Sequence, residues 1–189
     1  MPKSKSLPRN FNARVKCMVQ EIMRKNEEIV ALEDTVYDLM WPISRDGILR
    51  WQVKLGPLLQ AIFTGPSCGR VFPSRDFYTL EGHRMAAQLQ LNGQYLSLYV
   101  KLKEGLHDAS IEWPFPFSTV SFQMRRHDGE EPWEKVYQVD DIDQKFSRPT
   151  GGENEKFGFV NFISWDDLLC PENKLIEEDV VSIMISVNG

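Results

Sequence analysis

The stretch RMAAQLQLNGQYLSLYVKL, residues 84–102, contains two runs in which apolar and polar side chains alternate. Each run places its apolar residues on one face: Met85, Ala87, Leu89 and Leu91 in the first, and Leu96, Leu98, Val100 and Leu102 in the second. Asn92 and Gly93, which join the runs, accept the positive φ angles of a tight turn. The stretch therefore predicts an antiparallel β-hairpin with one buried face.

Segments of β character lie on both sides of this hairpin. Further strands are predicted at 48–55, 118–126, 133–139, 158–163 and 180–187, and the proline- and glycine-containing stretch 56–73 is interpreted as turns. A short helix is predicted to begin at Ser164, whose hydroxyl can cap it, with Asp166 and Asp167 favouring its dipole. Seven or eight short strands separated by turns indicate an all-β, antiparallel β-sandwich.

Residues 11–40 differ from the rest of the chain because they contain no glycine or proline and have an apolar heptad repeat. Val15, Ile22, Ile29 and Val36 occupy position a, and Phe11, Met18, Leu32 and Leu39 occupy position d, where Lys25 is the exception. A narrow stripe of this period is typical of a self-associating coiled coil, and an amphipathic helix packed on its own domain is the alternative.

Trp41-Pro42 ends this helix, because the residue before a proline is pushed out of the helical region. We therefore predict a disordered N-terminus at 1–10, a coiled-coil helix at 11–41 and a β-sandwich at 42–189. β-Branched residues at a with leucine at d favour two strands over three.

Composition excludes several classes of function. The net charge is −5 and no long Lys/Arg block is present, which argues against binding of nucleic acid or an anionic membrane. Cys17, Cys68 and Cys170 form no Cys-x-x-Cys pair, so zinc ribbons, fingers and RING sites are not expected. There is no run of about 18 apolar residues, so no membrane insertion is expected, and we expect a reducing cytosolic compartment.

Three short motifs resemble catalytic or binding signatures without their context. GPSCG, residues 65–69, fits a nucleophile elbow, but a proline precedes the serine and no helical period follows. VDDIDQ, 139–144, lacks the glycine and glutamate of an EF-hand loop, and GGENEKFG, 151–158, lacks the Lys-Ser/Thr of a phosphate loop. The histidines His83, His107 and His127 are isolated. The sequence predicts no enzyme, no metal site and no cofactor.

Six segments of this chain have an order and a spacing that are typical of a known family. They are RDFYT (75–79), LNG (91–93), YLSLYVKLKEGLHDASIEWPF (95–115), FSRP (146–149), KFGFVNFISWDDL (156–168) and IEEDV (176–180). Together they resemble the C-terminal domain of the tumour-necrosis-factor-receptor-associated factors, the TRAF or MATH fold. The resemblance covers about residues 47–188.

This resemblance implies an eight-stranded antiparallel sandwich at the end of a trimeric coiled coil, so we expect a homotrimer with a dimer as the alternative. It also implies a cytoplasmic adaptor, recruited to membrane receptors, that docks short peptides from the tails of TNF-receptor-type receptors or from signalling proteins. A monomeric module that recruits substrates for a ubiquitin ligase or deubiquitinase is the alternative, although the helical stalk argues against it.

The resemblance further implies that a ligand peptide adds as a strand to the sheet edge at 156–159. The residues implied to line the site are Gln88, Gln90, Tyr99, Tyr137, Lys156, Phe157, Gly158 and Phe159. Gly158 is expected to let the ligand backbone approach, and the rings of Phe157 and Phe159 to flank an apolar pocket. For each aromatic residue, packing in the core is the alternative.

Two departures from the family pattern affect this site. Gln88 and Gln90 stand where many members have an arginine and a ring, and Asp143-Gln144-Lys145 replaces a run of hydroxyl residues. Glutamine does not form a charge-assisted pair with a carboxylate. We therefore expect the groove to keep its position and to change its ligand preference.

The segment IEWPFPFSTVSF, residues 111–122, concentrates aromatic residues where two prolines exclude a helix or a central strand. It is either an exposed ligand-binding patch or a corner packed into the core. The resemblance favours the corner, with Trp113 and Phe115 closing the end of the sandwich. Phe117 follows a proline that is unusual for the family, and we expect its ring to be exposed.

Overall fold

A computed structural model of the chain describes residues 20–21, 24–25, 44–64, 70–140 and 142–188. The chain divides into two units, Met1–Pro42 and Ile43–Gly189. In the first unit the described residues are helical, and Glu21 and Arg24 form an ion pair of 2.7 Å one turn apart. The predicted seam residues Val15, Met18, Ile22, Ile29, Leu32, Val36 and Leu39 lie outside the described residues, so the coiled coil and its oligomeric state stay predictions.

The described part of the second unit contains nine strands and two α-helices. In chain order they are β1 (Ile48–Lys54), α1 (Leu55–Thr64), β2 (Val71–Tyr78), β3 (Arg84–Asn92), β4 (Tyr95–Lys103), β5 (Thr119–Met124), β6 (Trp133–Gln138), β7 (Phe157–Ser164), α2 (Trp165–Leu169), β8 (Ile176–Glu177) and β9 (Val180–Asn188). Two 3₁₀ turns, Gln144–Phe146 and Pro171–Asn173, lie in the connections.

The strands form two antiparallel sheets. One sheet has the order β1-β9-β5-β6, with the short β8 also paired to β9, and the other has the order β2-β3-β4-β7. Alternate residues of both sheets meet in one apolar core, to which β5 contributes Val120, Phe122 and Met124 and β4 contributes Leu96, Leu98, Val100 and Leu102. The structure confirms the predicted antiparallel β-sandwich.

The hairpin of β3 and β4 has the predicted faces, but the turn residues are Gly93 and Gln94. The prediction of a positive φ at Asn92 was wrong, because Asn92 is the last residue of β3 and lies opposite Tyr95. Leu91 lies opposite Leu96, Gln88 lies opposite Tyr99, and the apolar residues of both strands are buried. Gly93 has a φ of +56°, the left-handed conformation that the tight turn requires. The predicted cap of α2 is also present, because the Ser164 hydroxyl accepts a hydrogen bond of 3.0 Å from the Asp167 amide.

The interpretation of 56–73 as turns was wrong, because α1 and β2 occupy much of it. Pro57 lies in the first turn of α1, where a missing N–H removes no helical hydrogen bond, and Leu58 is fully buried. Pro73 lies in β2, an edge strand that tolerates the loss of a donor. The motif at 65–69 lies outside the described residues.

The IEWPFPF segment forms a packed corner around His83, which is buried. The Nε2–H of His83 donates to the Glu112 carbonyl oxygen (3.0 Å), and Nδ1 lies within hydrogen-bond distance of the Thr79 hydroxyl oxygen (3.1 Å). Three rings surround the imidazole, with centroids at 4.8, 5.2 and 5.8 Å, those of Trp113, Phe115 and Phe117. The expectation that Phe117 is exposed was wrong, because its ring packs on His83 and lies 4.8 Å from Phe115.

Candidate functional site

Strand β7 lies at the edge of the four-stranded sheet. It pairs with β4, so that Phe157 lies opposite Val100, Gly158 opposite Tyr99 and Phe159 opposite Leu98. Among the strands that the structure describes, no other pairs with β7. The side away from β4 therefore presents backbone N–H and C=O groups on which an extended chain can pair.

The second half of β7 is bulged and tied down by side chains. After Phe159 the register shifts, so that Ile163 lies opposite Leu96. Three successive carbonyls in this stretch accept side-chain hydrogen bonds: that of Val160 from Ser97, that of Asn161 from Lys135 (2.5 Å) and that of Phe162 from Trp133 (3.2 Å). Lys135 and Trp133 belong to β6, the edge strand of the opposite sheet. They fix this half of β7 against that sheet.

Residues 157–159, which we name the open edge, have no such bonds to their carbonyls from the described side chains. Gly158, at the centre, has a φ of +139°, and a Cβ there would lie 2.4 Å from the Leu98 carbonyl oxygen and 3.0 Å from the Tyr99 Cα. Any side chain at this position therefore collides with β4. The close approach of the neighbouring strand β4 is therefore enough to require glycine at this position, and the approach of a ligand backbone to Gly158 stays a prediction.

The predicted site residues fall into two groups on opposite faces. Gln88, Gln90, Tyr99 and Lys156 belong to the outer face of the four-stranded sheet, the face away from the core, with Gly158 beside them. The Lys156 ammonium lies 4.2 Å from the centroid of the Tyr99 ring and 2.5 Å from Gln90 Oε1. The lysine chain thus crosses β4 from the open edge to β3, held by a cation–π contact and a hydrogen bond.

Phe157, Phe159 and Tyr137 form the second group, on the core side of β7. Phe157 is only 3% exposed, and its ring centroid lies 5.3 Å from that of Tyr137 and 4.9 Å from that of Phe146. Core packing, the alternative for this ring, is what the structure shows. Phe159 and Tyr137 are half-buried at the border between β7 and β6, and their ring centroids lie 6.1 Å apart. The structure therefore does not bring all the predicted residues into one pocket.

The segment Asp143-Gln144-Lys145 supports the second group. The Lys145 ammonium lies 2.6 Å from an Asp143 carboxylate oxygen and 5.6 Å from the ring centroids of Tyr137 and Phe146. Hydrogen bonds to Asp143 and then to Tyr137 raise the pKa of Lys145 to about 12. The hydrogen bond from the Lys145 side chain in turn lowers the pKa of the Asp143 carboxyl group. The charge of Lys145 is therefore neutralised where it packs on the rings.

Sequence reasoning missed Trp133 and Lys135, which fix the bulge of β7. The Lys135 ammonium also lies 5.7 Å from the Phe159 ring centroid. Residues 133, 135 and 137 are half-buried while 134, 136 and 138 are exposed, so all three point toward β7. The alternation of β6 is the sequence signal that identifies them together with Tyr137.

Two absences hold for the described residues. There, no group of three or more His, Cys, Asp or Glu side chains is placed to hold a metal ion. The same residues include no helix long and apolar enough to cross a membrane.

Comparison with known proteins identifies the family. Residues 63–187 match the model of the MATH domain, so the chain belongs to the MATH-domain family. Its relatives include TNF receptor-associated factor 5 of Homo sapiens, 27% identical over 174 residues that cover 88% of this chain and 29% of the relative. TNF receptor-associated factor 1 of Mus musculus is 26% identical over 188 residues, covering 95% of this chain and 45% of the relative.

A solved structure agrees with these relatives. The structure of Notothenia coriiceps TRAF5 superposes with a TM-score of 0.70 at 25% identity, covering 95% of this chain and 91% of that one. The β-sandwich is thus a MATH domain of the TRAF type. The chain spans less than half the length of the two curated relatives, 29% and 45%.

Proposed function

We propose that this chain is a cytoplasmic signalling adaptor that docks short extended peptides, from receptor tails or signalling partners, on the open edge of β7. The observation that carries the proposal is the edge itself, where residues 157–159 pair with β4 on one side and with no other strand that the structure describes. An extended peptide that adds there gains main-chain hydrogen bonds, and its side chains supply specificity. Membership of the MATH-domain family and likeness to the TNF receptor-associated factors support this function.

The two groups of site residues suit such a ligand. Successive side chains of a strand point to opposite faces of its sheet. In an added strand, one set of side chains meets Tyr99 and Lys156 on the outer face. The other set meets the half-buried border formed by Phe159 and Tyr137. Each group therefore reads alternate residues of the peptide.

The proposed adaptor has no catalytic step and acts through assembly. We propose that the heptads at 11–41 form a homotrimer, with a dimer as the alternative, and that recruitment to clustered membrane receptors follows from it. Short peptides bury little surface, so each site binds weakly. A linked set of sites binds a cluster of tails much more tightly than one site binds one tail.

A degenerate library of ten-residue peptides with blocked ends tests the docking mode. Peptides selected by the full chain are resynthesised with N-methyl groups at single backbone positions. We expect N-methylation at alternate positions to abolish binding, because an edge-paired strand directs every second amide at the sheet. Binding that is insensitive to N-methylation at every position contradicts docking by strand addition.

A further inference from the structure

A cavity of about 200 Å³ opens on the solvent side of the sheet that contains β5, β8 and β9. It lies beside β9, where β8 takes the place of β5 as the neighbouring strand. β5 pairs with β9 as far as Ile183, and β8 pairs with Val181 and Val180, so Ser182 lies between the two partners. Because Val181 and Ile183 are buried in the core, the alternating side chains of Val180 and Ser182 face solvent. The cavity is lined by Arg125, His127, Leu175, Glu177, Val180 and Ser182.

Backbone hydrogen bonds fix the two walls of this cavity. On one side, the Arg125 amide donates to the Ser182 carbonyl (2.8 Å) and the His127 amide donates to the Lys174 carbonyl (3.0 Å). On the other side, the pairing of β8 with β9 fixes the backbone of Glu177. The lining side chains thus project from a backbone that is held in place before any ligand arrives.

The cavity contains two opposite charges that do not pair with each other. Among the described residues, neither the Arg125 guanidinium nor the Glu177 carboxylate forms an ion pair or a side-chain hydrogen bond. The next residue, Arg126, differs, because its guanidinium lies 2.9 Å from an Asp128 carboxylate oxygen. Within the described part of the chain, the cavity therefore has a cation without a partner on its β5 side and an anion without a partner on its β8 side.

The chemistry of these groups defines the ligand that fits. A guanidinium binds a carboxylate through two parallel N–H bonds, and the Glu177 carboxylate accepts hydrogen bonds from an ammonium. Leu175 and Val180 add apolar surface between the two charges, which suits a short aliphatic chain. Arg125 and Glu177 are exposed, and a single exposed charge contact contributes little in water. A ligand must therefore contact both charges to bind.

We infer that this cavity binds a small zwitterion, an amino acid whose carboxylate contacts Arg125 and whose ammonium contacts Glu177. A volume of 200 Å³ holds about seven non-hydrogen atoms, at about 30 Å³ for each water-sized group. An amino acid with about four carbons and its charged groups at opposite ends has this size. The site belongs to a different sheet from β7, so it does not depend on peptide docking there.

Titrations of the full chain followed by nuclear magnetic resonance test this site. The probes are glycine, 3-aminopropanoate, 4-aminobutanoate, 5-aminopentanoate and 6-aminohexanoate, which separate the same two charges by increasing distances. Butanoate and butylammonium have the same carbon chain as 4-aminobutanoate and lack one charge each. The backbone amides of residues 125, 127, 177 and 182 report binding.

We expect one chain length to bind with a dissociation constant of about 1 mM, because so small a ligand makes few contacts. Butanoate and butylammonium are expected to bind at least about tenfold more weakly, since each loses a charged hydrogen bond. Arg125→Gln and Glu177→Gln each weaken the zwitterion by a similar factor. Arg126→Gln and Glu178→Gln are the matched controls, because they remove neighbouring charges that do not line the cavity, and binding stays as in wild type. Unchanged melting temperatures show that the variants fold.

Three results overturn the zwitterion site. One is the absence of a saturable shift at the four amides with every zwitterion up to about 20 mM, well above the expected dissociation constant. Another is butanoate or butylammonium binding as tightly as the preferred zwitterion. The third is zwitterion binding that survives in Arg125→Gln or in Glu177→Gln. None of these results changes the proposed docking on β7, which is measured with different probes.

Discussion

At the scale of single residues, Asp76 organises the charged end of the outer face. Its half-buried carboxylate accepts hydrogen bonds from Lys103 Nζ (2.8 Å) and Arg84 Nε (2.8 Å). Burial opposes ionisation of this carboxyl group, but the hydrogen bonds from Lys103 and Arg84 outweigh it, and the pKa of Asp76 lies below its ordinary value. The group therefore stabilises the fold in its ionised form.

This lowered pKa predicts how the stability contribution depends on pH. A carboxyl group whose pKa is lower in the folded state contributes fully above its unfolded pKa of about 3.9, and loses its contribution as pH falls through the folded value. Asp76→Asn is expected to lower the free energy of unfolding by about 1 kcal/mol at pH 7. The difference from wild type shrinks below about pH 4.

Urea unfolding at several pH values measures this difference. Glu153→Gln, which removes a carboxylate from the more exposed pair with Lys101, is the control and is expected to change stability less. An Asp76→Asn deficit that stays constant down to pH 2 contradicts an electrostatic origin.

A second prediction at this scale concerns Gly158. Gly158→Ala places a Cβ 2.4 Å from the Leu98 carbonyl oxygen at a φ of +139°, so collision adds to backbone strain of about 1–3 kcal/mol. We expect a loss of more than about 2 kcal/mol in the free energy of unfolding. Gly129→Ala is the control, because its φ is +82° but nothing lies within 4 Å of a Cβ there. Equal losses in the two variants rule out the collision with β4.

At the scale of elements, β7 is divided into an open half and a tied half by donors from β6. The Trp133 indole N–H is one of these donors, at 3.2 Å from the Phe162 carbonyl. Trp133→Phe keeps the ring and removes the donor, so we expect a loss of about 1 kcal/mol and faster amide exchange in the second half of β7. Trp165→Phe removes a bond to the Gly93 carbonyl at the hairpin turn, and exchange in β7 is expected to stay as in wild type. Equal rates of amide exchange in the second half of β7 in the two variants contradict a role of the Trp133 donor in holding that half.

The sequence predicts those elements whose side chains alternate between core and solvent. The hairpin, β1, β5, β6 and β9 follow this pattern. In β7 only the first residues do, where the period places Phe157 and Phe159 on one face and Gly158 on the other, and the bulge interrupts it after Phe159. Strand β2 was missed because Pro73, Arg75 and Asp76 interrupt its apolar pattern, and α1 because Pro57 suggested a turn. The contact of Lys156 with Gln90 and Tyr99 depends on the register of β7 with β4 and on a side-chain rotamer, which no local pattern encodes.

At the scale of the whole molecule, the proposed adaptor function requires more than one docking edge in each assembly. The seam residues at 11–41 are predicted to supply it. We expect light scattering of the full chain to give about three times the chain mass of 21.9 kDa, and the double variant Ile22→Asp, Ile29→Asp to give one chain mass, because charges at a positions destabilise the seam. A wild type that is monomeric at tens of micromolar contradicts the coiled coil and favours the alternative of a monomeric recognition module.

The central claim is that a peptide pairs with the open edge of β7, and nuclear magnetic resonance of the chain with a library-selected peptide tests it most directly. We predict contacts between ligand Hα protons and the backbone of residues 157–159, together with slower amide exchange there. The amides of β2, the other edge of the same sheet, serve as the internal control and are predicted to stay unchanged. Ligand contacts and slowed exchange at β2, with the amides of 157–159 unaffected, contradict the account.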